Sequence, residues 1–199
     1  MQMNTRNVIA GGLIMLTSLS ALASTPVDVN QSTVLWFGKK VTGAHDGSLQ
    51  LKEATVDIED TLLKGGRFVF DMTSIKVLDI KDERWNKKLE NHLKNEDFFA
   101  VDEFPEAVFE ISQVKPLETL EADARNYDVK GDLTIKGITH VVRFQAQVDI
   151  RKKQSRARGE IIVDRTLYGI KYKSGKFFED IGDRAIYDDF SISFDLVTQ

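Results

Sequence analysis

The stretch Val142-Arg143-Phe144-Gln145-Ala146-Gln147-Val148-Asp149-Ile150 alternates apolar and polar side chains without a break. Successive side chains of an extended chain point to opposite faces, so this stretch presents one apolar and one polar face: a long, half-buried strand. Tyr127, Val129, Gly131, Leu133 and Ile135 repeat the pattern against Asp128, Lys130, Asp132 and Thr134. So do Phe190, Ile192, Phe194 and Leu196 against Ser191, Ser193 and Asp195. Phe68, Phe70 and Met72 alternate with Val69 and Asp71, and shorter echoes occur at Leu49/Leu51, Val56/Ile58, Ala107/Phe109/Ile111 and Ala157/Gly159/Ile161/Val163. Turns are expected at Lys64-Gly65-Gly66-Arg67, at Lys136-Gly137 and in the polar stretch from Arg151 to Arg156, with a looser acidic connection over Pro116–Asn126.

One segment departs from this period. Over Asp82–Asn95, Trp85, Leu89, His92 and Leu93 share a helical face, and Glu83 with Lys87 and Glu90 with Lys94 stand four apart, acid first. Asp82 and Glu83 suit the helix start and Lys94 its end. The aromatic stretch Asp97–Pro105 that follows reads as loop or a short turn of helix. Many one-sided strands with one inserted helix place the chain in the all-β class. Strands of about 10 residues span about 33 Å, and strands so long and so uniformly one-sided favour a closed antiparallel barrel over an open sandwich.

Composition excludes several functions. With 27 basic and 31 acidic residues the 199-residue chain carries a formal charge of −4, which argues against nucleic-acid binding and against a polybasic membrane-surface protein. The absence of cysteine removes disulfide scaffolds, thiolate metal sites, iron–sulfur clusters and cysteine nucleophiles. At the N-terminus Arg6 precedes the apolar run Val8–Ala23, which ends in Ala21-Leu22-Ala23. That is the pattern of a cleavable secretory leader, Met1–Ala23, leaving Ser24–Gln199 as one exported domain without stable membrane insertion; an uncleaved anchor is the competing reading.

Catalytic signatures are sparse. His45, His92 and His140 are far apart in sequence, and a three-histidine zinc site requires the fold to assemble them. No G-x-S-x-G elbow, phosphate-binding loop or calcium-loop order is present. The acid pairs Asp188-Asp189 and Glu179-Asp180 read as solvated. The aromatic alternation is the informative feature, and on the residues alone a packed core outranks a ligand cavity.

Taken in order, several blocks are similar to one known family. They are Ser32-Thr33-Val34-Leu35-Trp36, Gly43-Ala44-His45-Asp46-Gly47, and Gly66-Arg67-Phe68-Val69-Phe70-Asp71-Met72-Thr73-Ser74-Ile75. Then come Leu89-Glu90-Asn91-His92-Leu93-Lys94-Asn95-Glu96-Asp97-Phe98-Phe99 and Phe104-Pro105-Glu106-Ala107-Val108-Phe109. Gly131–Thr139, Arg165-Thr166-Leu167-Tyr168-Gly169-Ile170 and Asp189-Phe190-Ser191-Ile192 complete the set. Across the mature region the chain resembles the YceI-like family. The resemblance implies a lipocalin-like antiparallel β-barrel around an elongated apolar pocket, export to the bacterial periplasm, and binding of polyisoprenoid or other long-chain amphiphiles rather than catalysis. It brings no catalytic set, no metal and no cofactor other than a bound isoprenoid or long-chain lipid, and it leaves a homodimer open.

With that resemblance, the expected pocket lining is the inward alternating set Trp36, Phe68, Phe70, Met72, Phe109, Val129, Leu133, Phe144, Ile161, Phe190, Ile192 and Phe194, with Tyr168 as a polar handle where the family often has phenylalanine. His45, Arg165, Tyr168 and Tyr172 are candidates for head-group contacts, although for Arg165 a buried pair with an acid such as Asp71 ranks higher. The Asp82–Asn95 helix and the Phe98–Phe104 segment are expected to form a movable cover. Two other readings stay open: an enzyme acting on a lipid through interior histidines, and a ligand-free interaction protein with a filled barrel and an exposed apolar patch.

Overall fold

A computed structural model describes residues 24–119, 124–179 and 182–199, so the leader expected over Met1–Ala23, and Asp180 of the acid pair, lie outside the described residues. The alternating stretches become strands: β1 Ser24–Pro26, β2 Thr33–Lys40, β3 Gly43–Glu59, β4 Leu62–Val77, β5 Glu106–Pro116, β6 Tyr127–Ile135, β7 Ile138–Asp149, β8 Arg156–Asp164 and β9 Ile186–Val197. All pairings are antiparallel, and the order β2-β9-β8-β7-β6-β5-β4-β3 returns to β2, closing an eight-stranded barrel. The short β1 pairs with the far half of β3. The one α-helix among the described residues, α1 (Glu83–Lys94), starts at Asp82, whose carboxylate accepts from the Trp85 amide, and ends at Asn95. Among the described residues no helix is long and apolar enough to cross a membrane.

The alternation holds most cleanly in β6, where Tyr127, Val129, Gly131, Leu133 and Ile135 are all buried. It slips where the ladder bulges. In β3 both Lys52 and Glu53 face out, at the register shift between Leu51 and Glu53, and Ala54 returns to the core. In β4 the chain from Met72 to Ile75 bulges opposite Leu49, so Met72 and Ile75 both face inward. The turn expected at Lys64–Arg67 lies elsewhere. β3 and β4 are joined through Asp60-Thr61, both with positive φ (48° and 68°), the conformation of a two-residue hairpin turn. Gly65 and Gly66 sit within β4 instead. A Cβ on Gly65 would come 2.7 Å from Asp57 Oδ2, and one on Gly66 2.8 Å from the Thr55 carbonyl, so the glycines admit a close strand approach. Lys136-Gly137 is the expected turn, again with two positive φ values.

The barrel wall is open at one end. β4 pairs with β5 only as far as Asp71↔Glu106, and β7 pairs with β8 only over Ala146–Asp149. Beyond those points the strands part. The first gap is filled by α1 and the turn that follows it, with Phe98 and Val101 buried. The second holds the 3₁₀ turn Arg165–Tyr168, whose Leu167 carbonyl accepts from His140 Nε2 (3.0 Å).

Of the expected helix face, Leu89, His92 and Leu93 pack inward and Trp85 does not. Trp85 is 56% exposed, with the Lys88 ammonium over its ring. The face against β4 holds Asn86, Leu89, Glu90 and Leu93. Asn86 donates to the carbonyls of Val77 and Ile80, and buried Glu90 accepts from the Val77 amide (3.1 Å) instead of pairing with Lys94. These polar groups satisfy the strand's last backbone positions, and seating them turns Trp85 outward.

Candidate functional site

The barrel interior is not filled. A cavity of about 160 Å³ lies at the open end, bounded by Trp36 and Leu49 from β2 and β3, Phe70, Met72 and Ile75 from β4, Leu133 and Ile135 from β6, and Phe190 and Ile192 from β9. Leu89 and Leu93 of α1, with Phe98 and Phe99, close its side. A second cavity of about 70 Å³ occupies the other half, among Phe68, Phe109, Val129, Phe144, Ile161 and Phe194. Phe70 and Ile192 line both, so they form a waist between two adjoining chambers. The walls of both are almost wholly apolar.

Close seating of large rings over glycines helps keep the centre open. Trp36 lies across Gly47, where a Cβ would come 2.5 Å from the indole, and its Nε1 donates to the Lys76 carbonyl (3.1 Å). Phe109 lies across Gly131 and Phe194 across Gly159 in the same way, at 2.4 Å and 2.6 Å. With no side chain on the neighbouring strand, each ring lies back toward the wall. Rings then touch around the lower chamber: Phe68 against Phe109 (centroids 6.0 Å), Phe109 against Phe144 (5.6 Å), Phe144 against Phe194 (5.7 Å).

Polar groups gather at the open end. Lys39, Lys40, His45, Arg165, Tyr187 and Asp189 line the upper chamber's rim. His45 Nδ1 meets Asp79 at 2.8 Å. Burial alone would raise the Asp79 pKa, but hydrogen bonds from His45 and the Asp46 amide outweigh it and hold the carboxyl low. Arg165 is buried, and its fork donates to the carbonyls of Tyr187, Ile170 and Ile186 (2.9–3.1 Å). Its acid is Asp188 at 3.6 Å, not Asp71, which turns back to Thr73. Burial pushes the guanidinium's pKa down, against the pull of Asp188 and Asp164. Arg165 therefore stitches the 3₁₀ turn to the start of β9, a structural duty that leaves its edge on the cavity.

Twelve of the thirteen expected pocket residues line one chamber or the other. Tyr168 lines neither. It is 1% exposed, packs edge-on against His140, and its hydroxyl has no hydrogen-bond partner among the described residues. Burial pushes the phenol up to about 12. Tyr172 packs against His92 and Phe98 rather than on the cavity. Sequence reading missed Ile75, Ile135, Val163, Ile170 and Ile186, which also line the upper chamber. Val163 and Ile135 were within reach of the alternation; Ile75 was hidden by the bulge before it.

The fold does not bring the histidines together. His45 meets Asp79, His92 meets Asp97 (3.0 Å), and His140 meets a backbone carbonyl. Among the described residues no three His, Cys, Asp or Glu side chains converge as metal ligands, and no hydroxyl or amine side chain hydrogen-bonds His45.

Residues 26–198 match the YceI-like domain. A Staphylococcus aureus (strain N315) protein of the group named UPF0312 is 35% identical over 94 residues, which is 44% of this chain and 49% of that protein, so the chain matches about half the length of such curated relatives. Among solved structures, Burkholderia cenocepacia BcnA superposes with a TM-score of 0.67 at 23% identity, over 87% of this chain and 99% of that one. A polyisoprenoid-binding domain from Saccharophagus degradans, implicated in plant cell wall breakdown, gives 0.62 at 13% identity, over 90% and 99%. Closed barrel, inserted helix and matched residues agree: the chain belongs to the YceI-like family.

Proposed function

We propose that the protein is an exported carrier or buffer for a long-chain amphiphilic lipid of polyisoprenoid type, a quinone or polyprenyl derivative. The tail lies in the two chambers and the polar head at the Lys39, Lys40, His45, Arg165 and Asp189 rim. The observation that carries this reading is the pair of adjoining apolar chambers running from the polar rim into the barrel. The likeness of the fold to a polyisoprenoid-binding domain supports it. The leader pattern at Met1–Ala23 supports export to the periplasm with cleavage after Ala23.

The driving force is burial of the tail. At about 0.8 kcal/mol per CH₂, a chain of about 40 carbons grosses about 30 kcal/mol, above the practical ceiling of about 20 kcal/mol for net binding. The surplus goes to ordering the chain and to the part of the tail left exposed, since chambers of about 160 Å³ and about 70 Å³ enclose only a portion of it. A bilayer offers the tail the same burial, so such a carrier needs a route for release more than added grip. The part of the wall made by α1 and Phe98–Phe104, which is not held by the strand ladder, supplies that route.

The test is mass spectrometry of an organic extract of the protein purified without detergent from its own periplasm. The expected result is a stoichiometric isoprenoid or long-chain species. A clean extract, with no uptake of added quinone or polyprenol, overturns the reading.

A further inference from the structure

Exposed apolar side chains are distributed unevenly between the two ends of the barrel. At the open end Val41, Phe177, Phe178 and Tyr187 are 49%, 48%, 47% and 57% exposed. At the other end, among the described residues, Leu62 is the one large apolar side chain in that class. The four belong to one surface. The Val41 amide donates to the Ala185 carbonyl (3.0 Å) and the Ile186 amide to the Lys173 carbonyl (2.9 Å). These bonds tie the β2–β3 turn, the 171–178 turn and the start of β9 together. The aromatic pair is firmly held: the amides of Phe177 and Phe178 both donate to the carbonyl of Ser174, which is fully buried.

Lysines border this surface, alongside Glu179 next to Phe178 and Asp189 on the rim. Lys39, Lys40, Lys171 and Lys173 have no acidic partner among the described residues. Lys171 instead lies over the Phe177 ring (4.8 Å) and Lys173 over Tyr172 (5.2 Å). Aromatic rings and lysines with apolar stems are the side chains that settle at headgroup level in a bilayer. The surface is continuous with the cavity, because Lys39, Lys40 and Tyr187 also line the rim.

We propose that this face docks on an anionic bilayer surface, with Phe177, Phe178, Val41 and Tyr187 entering the headgroup layer and Lys39, Lys40, Lys171 and Lys173 meeting lipid phosphates. The cavity mouth then faces the leaflet, and an amphiphile passes between membrane and barrel without crossing water. This purpose rests on the lipid-carrier reading, whereas the docking itself does not need an occupied cavity.

The experiment is flotation of the protein, processed as its cells leave it, with phosphatidylcholine vesicles containing or lacking about 30 mol % phosphatidylglycerol. Binding to the anionic vesicles is expected to be at least about tenfold tighter than to neutral ones and to be lost between about 0.05 M and about 0.5 M salt. Phe177→Ser with Phe178→Ser is expected to weaken binding about tenfold, and Lys171→Glu with Lys173→Glu to abolish the preference for anionic lipid. Leu62→Ser, at the far end, is expected to change neither. Circular dichroism of each variant confirms folding. Flotation that is absent, or equal in all variants, overturns the proposal. So does loss of self-association in the phenylalanine variant with vesicle binding unchanged, which would assign the face to a second copy of the chain. A clean lipid extract alongside salt-sensitive flotation removes the carrier reading and leaves the docking standing.

Discussion

Gly47 and Tyr168 show opposite residue-level constraints. A methyl group at position 47 would lie 1.8 Å from the Lys76 carbonyl and 2.5 Å from the Trp36 indole. Gly47→Ala must therefore move a strand or unseat Trp36, and we expect a loss of about 3 kcal/mol, read as a fall in the urea midpoint. Tyr168 carries a buried hydroxyl with no hydrogen-bond partner among the described residues, and that burial pushes its pKa up to about 12. Tyr168→Phe removes that desolvated hydroxyl and keeps the ring, so it is expected to raise stability by about 1 kcal/mol in the same assay. The inward aromatics were readable because alternation gives their direction. Tyr168 was not, because a 3₁₀ turn has no such period and directs its side chain into the gap between β7 and β8.

Among the elements, α1 is held to the barrel by few contacts of two kinds. Asn86 and Glu90 bind the backbone end of β4, and Leu89 and Leu93 press on the cavity. Shortening the leucines leaves the polar anchors and loosens the apolar wall. Leu89→Ala with Leu93→Ala is expected to speed exchange of a fluorescent isoprenoid about tenfold in stopped-flow mixing, at a stability cost of about 2 kcal/mol. An unchanged rate removes α1 from the exchange route. The helix ends were legible in the sequence, since Asp82 and Asn95 flank the apolar spacing. The outward turn of Trp85 was not, because the partners of Asn86 and Glu90 are backbone groups that any sequence would supply. The bulges in β3 and β4 were hidden for a related reason: they are set by the neighbouring strand's register. Gly65-Gly66 looked like a turn because glycine marks close approach and reversal alike.

For the whole molecule, closure was legible and emptiness was not. A filled barrel and a hollow one carry the same alternation; the difference lies in how the rings seat over Gly47, Gly131 and Gly159. Held together without disulfides, the barrel also depends on carboxylates at its ends and outer face. Asp195 is held low by Arg156 and Arg158 despite partial burial. In Asp164 and Asp79 burial pulls upward but is outweighed, in Asp164 by Lys176 and Thr166, and in Asp79 by His45 and the Asp46 amide. Each folded-state pKa lies below the unfolded value of 3.8, so the folded protein binds fewer protons there. Their contribution is present in full above that value and is lost as pH falls through the folded pKa. The urea midpoint is expected to fall as pH drops below about 4, and Asp79→Asn to flatten that decline.

The waist at Phe70 and Ile192 makes the barrel sensitive to time as well as to chemistry. A short tail fits above it and leaves without disturbing either side chain. A longer tail must thread between them on entry and again on departure. Residence is therefore expected to lengthen in a step, not smoothly, as isoprene units are added, and Ile192→Ala to level that step. A protein with little preference among head groups would then sort its cargo by tail length, through how long each tail stays.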